Sequence, residues 1–240
     1  MNINELMDRA LFALSVPKCI SCGEKLDYGQ NAFCLKCYGE FLEFKTRNCS
    51  RCARILSFCD CSNQSLESHF IKQVIKCYRY IGNENSTPPN SLIYSLKRDN
   101  RSDVLAFAAR ELSMAISNSI ENPKECIITN IPRRKSAIIE YGIDHSALLA
   151  KEVANLLGAR YICFLSSNAK KEQKSLQPDE RRKNADFSVI KEMDLTGKKV
   201  IIVDDIITSG ASMSNAATLI RSMGSKQIVA ACLAIAYKDS

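Results

Sequence analysis

The later two-thirds of the chain alternates between short apolar runs and stretches with helical periodicity. The densest run is Val200-Ile201-Ile202-Val203, four β-branched apolar residues in succession, which predicts a strand buried on both faces of a parallel sheet. Cys126 to Ile131 and Tyr161 to Leu165 predict two more strands, the first ending at Pro132, and Gln227 to Ile235 a last one. An apolar segment over 71–81 reads as extended. Helical spacing marks Leu92 to Leu96, Asp103 to Ile120 with Ser102 or Asp103 as cap, and Ser146 to Leu157, closed by Gly158 at C′. A further helix runs from Ser212 or Met213 to Met223 and is closed by Gly224, and Leu6 to Leu14 predicts a short amphipathic helix. Residues 62–69 read as a linker, and Asn83 to Asn90, with Pro88-Pro89, as a loop. Alternating strands and helices predict an α/β fold, a mostly parallel sheet flanked by helices. Ligands of such sheets bind beyond the carboxyl ends of the strands, where Pro132 and Asp204 both fall.

Two adjacent carboxylates, Asp204 and Asp205, stand where the Val200 strand is predicted to end, followed by Thr208, Ser209, Gly210, Ala211 and Ser212. Carboxylates side by side can accept hydrogen bonds from vicinal ribose hydroxyls. The backbone N–H groups of 208–212 can cup a phosphate at the start of a helix, with Gly210 tolerating a positive φ. The plainer reading is a buried strand capped by a turn, with Ser212 as N-cap. A nucleotide triphosphatase would need a G-x-x-x-x-G-K-[ST] loop; Gly197-Lys198-Lys199 is the nearest approach and lacks the first glycine and the hydroxyl. After the strand at 126–131 comes Ile131-Pro132-Arg133-Arg134-Lys135, three cations that either neutralise a pyrophosphate or form a solvated basic turn. The Val200–Ser212 run resembles the 5-phosphoribosyl-1-pyrophosphate (PRPP) motif of type I phosphoribosyltransferases. In that family the acid pair holds the ribose 2′- and 3′-hydroxyls and the loop holds the 5′-phosphate.

Cysteine placement changes the picture at the other end. Of twelve cysteines, eight fall before residue 62: Cys19, Cys22, Cys34, Cys37, Cys49, Cys52, Cys59 and Cys61. Pairs three apart on a turn, with Gly23 after Cys22, suit knuckles of tetrahedral thiolate zinc sites. The second quartet closes with C-x-C, which departs from the usual knuckle, and cross-braced pairing of knuckles stays open. Disulfides are the competing reading. They are disfavoured because Glu5 and Asp8 precede the short apolar stretch Ala10–Val16, with no basic region and no cleavage pattern of a signal peptide. A cytoplasmic location is expected. Cys77, Cys126, Cys163 and Cys232 lie in apolar surroundings and read as core. The formal charge is +7. Two four-thiolate zinc sites, at −2 each, would bring it to about +3, so the basic balance argues only weakly for a nucleic-acid partner. With no Trp, no aromatic stacking platform is visible, and no apolar run approaches the length of a membrane span. A length of 240 residues accommodates a small zinc-binding domain over 1–62 and a larger domain over 63–240.

Further short matches extend the resemblance. Leu11-Phe12, Pro17 and Cys19-x-x-Cys22 are similar to the opening of the ComF family of competence-associated proteins. Tyr80 and Gly82, Leu96-Lys97, Ile131-Pro132 followed by Gly142-Ile143-Asp144-His145, and Gln173, Leu176, Arg181, Asn184 and Phe187 continue it, with the acid-pair loop at 204–212 as the strongest match. Tyr141 departs from the arginine the family usually places before that glycine, and the spacing from Asn184 to Phe187 is shorter than usual. The resemblance implies a type I phosphoribosyltransferase-like domain behind N-terminal zinc ribbons. It implies a role in natural transformation, in handling imported single-stranded DNA beside a helicase-like ATPase. It further implies that PRPP binds with Mg²⁺, that Asp204 and Asp205 act catalytically on the ribose, and that Thr208 to Ser212 and Pro132 to Lys135 hold the phosphates. The charged segment from Lys170 to Asn184 then reads as a cover that keeps water from a ribosyl cation, or as plain surface. A glutamine amidotransferase is disfavoured, because Asn2 stands where a cysteine nucleophile would be needed. The rival to an enzyme is a binding module that senses PRPP or holds DNA or a protein. Lys97 reads equally as a ligand contact or a solvated lysine.

Overall fold

The computed structural model describes residues 16–49, 52–61, 66, 70–80, 87–167 and 187–236. The expected helix at Leu6–Leu14, nearly all of the linker at 62–69, Gly82 and the charged segment from Lys170 to Asn184 lie outside the described residues. Five parallel strands form the main sheet in the order β1-β7-β6-β2-β3, where β1 is Ile71–Tyr80, β2 Ile127–Asn130, β3 Arg160–Tyr161, β6 Lys199–Ile207 and β7 Gln227–Ala236. A separate antiparallel pair joins β4, Leu165–Ser167, to β5, Phe187–Val189. The described helices are α1 Leu35–Thr46, α2 Pro88–Arg98, α3 Ser102–Ser117, α4 Lys135–Tyr141, α5 His145–Leu157 and α6 Ala211–Ser222.

Strand β6 explains the apolar run. Val200 and Ile202 face a core built with Met213, Ala216, Ala217 and Ile220 of α6, while Ile201 and Val203 face a second core with Leu112, Ile116, Leu149 and Val153 of α3 and α5. All four β6 residues are fully buried, so no position in the run tolerates a polar side chain.

From β2 the chain crosses outward to β3, and from β6 it crosses the other way to β7. Between β2 and β6 the direction of winding reverses. That reversal opens a crevice at their carboxyl ends.

The structure adjusts several predicted boundaries. β6 does not stop at the acid pair but runs to Ile207, because β7 continues alongside and the ladder persists through Ile206 opposite Ala234. The helix after it begins at Ala211 with Gly210 as N-cap, not at Ser212 or Met213, since Gly210 takes φ 75° and turns the chain one residue earlier. The segment predicted as one strand over Tyr161–Leu165 divides, for Ile162 makes a last bond to Ile128 of the main sheet and Leu165 then pairs with Val189. Pro88 and Pro89 open α2 instead of lying in a loop, as a first helical turn has no N–H to lose there. Arg101 precedes α3 where Ser102 or Asp103 was expected to cap it, and its guanidinium forks onto the Asp103 carboxylate. Neither α1 nor α4 was legible in the periodicity.

The cysteine-rich segment shares the core of the sheet. Cys19, Leu26, Phe33, Cys34, Cys37 and Phe41 belong to the same cluster as α2, α3, α5 and one sheet face. Phe41 is fully buried, with ring centroids 5.4 Å from Phe33, 5.5 Å from Phe107 and 5.6 Å from Tyr78. Three polar ties accompany it: Lys45 pairs with Glu111, Arg101 Nη1 donates to the Lys18 carbonyl at 2.6 Å, and Lys76 Nζ donates to the Cys59 carbonyl. Because Phe41 joins rings from both parts, Phe41→Ala is expected to destabilise the whole molecule by about 3–5 kcal/mol. Chemical denaturation should show one displaced transition, and a separate early step for the cysteine-rich part would contradict the shared core.

Candidate functional site and metal centres

The crevice between β2 and β6 is built from neighbouring backbone. Ile131 N–H donates to the Val203 carbonyl at 3.1 Å, which places the exit of β2 beside Asp204. Asp204 is half-buried, and its Oδ1 accepts from the Asp205 N–H at 2.9 Å. Asp205 is 7 % exposed. Its Oδ1 accepts from the Ile206 N–H at 2.9 Å, and its Oδ2 lies 3.1 Å from Lys97 Nζ and 4.0 Å from Arg133 Nη2. Burial, and then the charge of Asp205, pushes the Asp204 carboxyl well above the usual carboxylate range, against the opposing pull of the Asp205 N–H and Lys97.

A chain of contacts fixes the cations around it. Arg133 Nη1 lies 3.5 Å from His145 Nδ1, and His145 Nε2 lies 2.8 Å from Asn100 Oδ1. With the Asn100 oxygen as acceptor, Nε2 carries the imidazole proton and Nδ1 accepts from the guanidinium. Burial, and then the Arg133 charge, lowers the His145 pKa below its ordinary value, although Asp205 and Asp144 pull it up. Asp144 caps α5 by accepting from the Ala147 N–H at 3.1 Å, and its other oxygen accepts from the Arg133 N–H at 3.3 Å. Beneath, the buried Asn130 donates to Ser146 Oγ at 3.1 Å and accepts from Tyr161 Oη at 2.7 Å.

The second loop completes the site. Thr208 and Ser209 are exposed, and Gly210 in the left-handed region turns the chain into α6. The first helical bond runs from the Ser214 N–H to the Gly210 carbonyl at 2.9 Å, so the N–H groups of Ala211, Ser212 and Met213 precede the regular ladder. Ala211 and Ser212 are exposed, and Ser209 Oγ makes a long 3.4 Å contact with the Ala211 N–H. The acid pair, the 131–133 turn and the 208–212 loop thus lie at the carboxyl ends of two neighbouring strands. Arg134 and Lys135 are exposed at the start of α4, and among the described contacts only Arg133 of the three loop cations reaches the acids. The Tyr141 side chain lies outside the described residues.

Lys97 is a close partner of Asp205, which neither sequence reading foresaw. His145, Asn100, Asn130 and Tyr161 were missed as members of the network. An aspartate just before a helical run was the available signal for Asp144 as a cap; Asn100 had none.

In the cysteine-rich part, the sulfurs of Cys19, Cys22, Cys34 and Cys37 all lie within 4.8 Å of one another, and so do those of Cys49, Cys52, Cys59 and Cys61. The geometry therefore groups each quartet by itself, without cross-bracing. Cys22 and Cys34 are 3.7 Å apart and Cys52 and Cys59 3.6 Å apart, against roughly 3.8 Å for the edge of a tetrahedron with 2.3 Å zinc–sulfur bonds. Both knuckles fold alike. Gly23 at φ 77° donates to the Cys19 carbonyl at 3.0 Å, and Ala53 at φ 59° donates to the Cys49 carbonyl at 2.9 Å. Burial pushes the Cys59 thiol up to about 12 and Cys37 higher, whereas backbone N–H groups of Cys22, Cys34 and Ser21 overcome burial at Cys19 and bring it to about 7. Four crowded thiols of this kind do not all ionise without a cation among them. The donor sets and spacings fit a tetrahedral metal such as zinc, which would cross-link the turns and has no open position for chemistry. Cys77, Cys126, Cys163 and Cys232 stand outside both quartets.

Two measurements follow from this geometry. The chain has two histidines, so proton NMR with His145→Gln for assignment resolves His145. Its midpoint is expected below about 6.5, moving up in Arg133→Ala and further down in Asp205→Asn. Since the unfolded chain then binds more protons than the folded one, His145 should cost stability as pH falls from about 6.5 through its depressed folded value. Elemental analysis is expected to find two zinc ions per chain, one lost in Cys37→Ser and the other in Cys61→Ser. Cys37→Ser should lower the melting temperature more, because Cys37 is buried in the shared core and Cys61 is not.

Residues 142–240 match the family model described as the phosphoribosyl transferase domain. The DNA utilization protein YhgH of Salmonella typhimurium is 26 % identical over 163 residues, which cover 65 % of this chain and 71 % of that protein. A ribose-phosphate pyrophosphokinase of Pyrococcus abyssi is 40 % identical over 80 residues, 33 % of this chain and 24 % of the enzyme, so the chain spans only about a quarter of that relative. Among solved structures, the glutamine PRPP amidotransferase of B. subtilis aligns with a TM-score of 0.40 at 21 % identity, covering 57 % of this chain and 30 % of that one. The phosphoribosyl transferase match at residues 142–240 thus lies on a mostly parallel sheet flanked by helices, and two Cys₄ clusters able to hold a metal stand ahead of it.

Proposed function

We propose that this protein binds PRPP in the crevice between β2 and β6 and acts in the handling of imported single-stranded DNA during natural transformation. The observation that supports the site most is the meeting of three elements at one topological switch point: the acid pair, the Pro132–Arg133 turn and the Gly210 loop. In this reading Asp204 and Asp205 accept hydrogen bonds from the ribose 2′- and 3′-hydroxyls. The N–H groups of Thr208, Ser209, Gly210, Ala211 and Ser212 hold the 5′-phosphate at the start of α6, where the helix dipole favours an anion. Pro132, Arg133, Arg134 and Lys135 frame the pyrophosphate, Arg133 from its place against His145. The carboxylates of the acid pair suit a hard cation such as Mg²⁺, which would accompany PRPP and supply charge neutralisation at its pyrophosphate. In a transfer reaction the C1–oxygen bond to pyrophosphate breaks and a bond from C1 to an acceptor forms. The chain's part is to orient the sugar, and its carboxylates offset positive charge at C1.

The DNA role follows the ComF resemblance and the name of the Salmonella relative. A helicase-like ATPase as partner and a cytoplasmic location belong to the same reading; among the described residues no helix is long and apolar enough to cross a membrane. Zinc is the proposed metal of both quartets. The proposed division is a zinc-binding unit over 1–62 and a phosphoribosyltransferase-like unit over 63–240, packed on one core.

A second reading is a non-catalytic PRPP sensor or adaptor, and the ion pair between Lys97 and Asp205 favours it, because one acid is already balanced within the protein. Calorimetric titration of PRPP with Mg²⁺ into zinc-loaded protein tests the site. Binding is expected, and it should vanish when Asp204→Asn and Asp205→Asn are combined. Absence of heat in intact, zinc-replete protein would remove PRPP from the account. If PRPP binds and no nucleophile presented to the complex releases pyrophosphate, the sensor reading stands. Titration with single-stranded DNA at rising salt checks the DNA role, since a phosphate-backbone site weakens steeply with salt.

A further inference from the structure

Lys97 lies in the last turn of α2, and its side chain is about a third exposed. Its Nζ approaches Asp205 Oδ2 to 3.1 Å, yet that buried oxygen accepts no hydrogen bond of good geometry from a described residue. The contact is a charge pair without a directional bond. Arg133 is the other cation at the same oxygen, 4.0 Å away. It is anchored by the protein on two sides: its N–H donates to Asp144, and its guanidinium rests on His145, which Asn100 pins from behind. One cation at Asp205 is therefore built into the frame, and the other ends a flexible four-carbon stem.

A carboxylate as buried as Asp205 needs a counter-ion in the free protein. A ribose diol is neutral and cannot take that part. A pyrophosphate on C1 of the same sugar brings several negative charges into the crevice and competes for the lysine.

We propose that Lys97 is a counter-ion that changes partners: it neutralises Asp205 in the free protein and passes to the pyrophosphate of the incoming sugar, which releases Asp205 to the ribose hydroxyls. The exchange rests on the reading of the crevice as a PRPP site and adds a basis for selectivity. Ribose 5-phosphate carries the same ribose and the same 5′-phosphate but only a neutral hydroxyl at C1, with no negative charge to receive Lys97. Binding it must break the ion pair without replacement. Lys97 thereby favours the pyrophosphorylated sugar over its hydrolysis product.

The test compares PRPP and ribose 5-phosphate, each with Mg²⁺, by calorimetry on zinc-loaded wild type, Lys97→Met and Lys97→Arg. Wild type should prefer PRPP. Lys97→Met should weaken PRPP by about ten-fold or more, the size of a lost charge-assisted contact, while ribose 5-phosphate binds as well or better. Lys97→Arg should recover most of the PRPP affinity. Equal losses for both ligands would overturn the exchange, because Lys97 would then balance Asp205 in every state. Unchanged affinities for both would overturn it as well. Wild type that binds neither sugar would defeat the PRPP reading itself, and the exchange with it. Melting curves check that the variants are folded, and Lys97→Gln repeats the comparison should Lys97→Met unfold.

Discussion

Two adjacent carboxylates on a central strand, one of them almost wholly buried, set the terms for everything around them. Left alone, they repel each other and lose hydration, and burial then raises the proton affinity of Asp204. The fold answers with cations from two directions. Lys97 comes from the carboxyl end of α2, where a positive charge also suits the helix dipole. Arg133 comes from the turn after β2 and is held by an imidazole whose other nitrogen is committed to Asn100. Asp144 ties this arrangement to the backbone, since one carboxylate starts α5 and steadies the Arg133 amide. The site is an electrostatic frame supported by at least four elements, and the parallel pairing of β2 with β6 brings its parts together.

The cysteine-rich segment is a structural participant in the same domain core. Phe33 and Phe41 stack on each other and both meet Phe107 edge to face, Phe41 meets Tyr78 the same way, and three of the first quartet's cysteines, all buried, lie in that cluster. A metal there would stiffen one wall of the core that supports α3, and α3 packs on α5, which carries His145. The metal centres and the crevice are far apart in sequence yet mechanically continuous.

Much of the fold was legible because the Val200–Val203 stretch of the central strand admits no polar residue. Val200 to Val203 is apolar on both faces, and the flanking helices keep a clear period. Legibility failed where tertiary pairing overrode the local pattern. The carboxylates looked like the end of β6, but β7 supplies partners for the backbone beyond them. The prolines before α2 looked like a loop, although a first helical turn accepts them. Helix α1 was hidden because only Cys37 and Phe41 of it are buried while Leu35 and Leu42 are exposed, which erases the amphipathic signal. At the site, the acid pair and the glycine loop are contiguous and could be read. Lys97, Asn100 and His145 are assembled from separate elements, and a contact such as that of Asn100 with His145, across 45 positions, leaves no local trace.

The buried tie between Lys76 and the Cys59 carbonyl has a consequence for solubility. β1 is the outermost strand on its side of the sheet, and the short 3₁₀ turn Leu56–Phe58 packs against it just before the second thiolate quartet closes. The turn that leads into this quartet therefore works as a guard over that ladder edge. Oxidation of those thiols would loosen the guard and uncover backbone at the edge of β1, to which another strand could pair. The thiol state of four cysteines would thus bear on how well one edge of the sheet is covered.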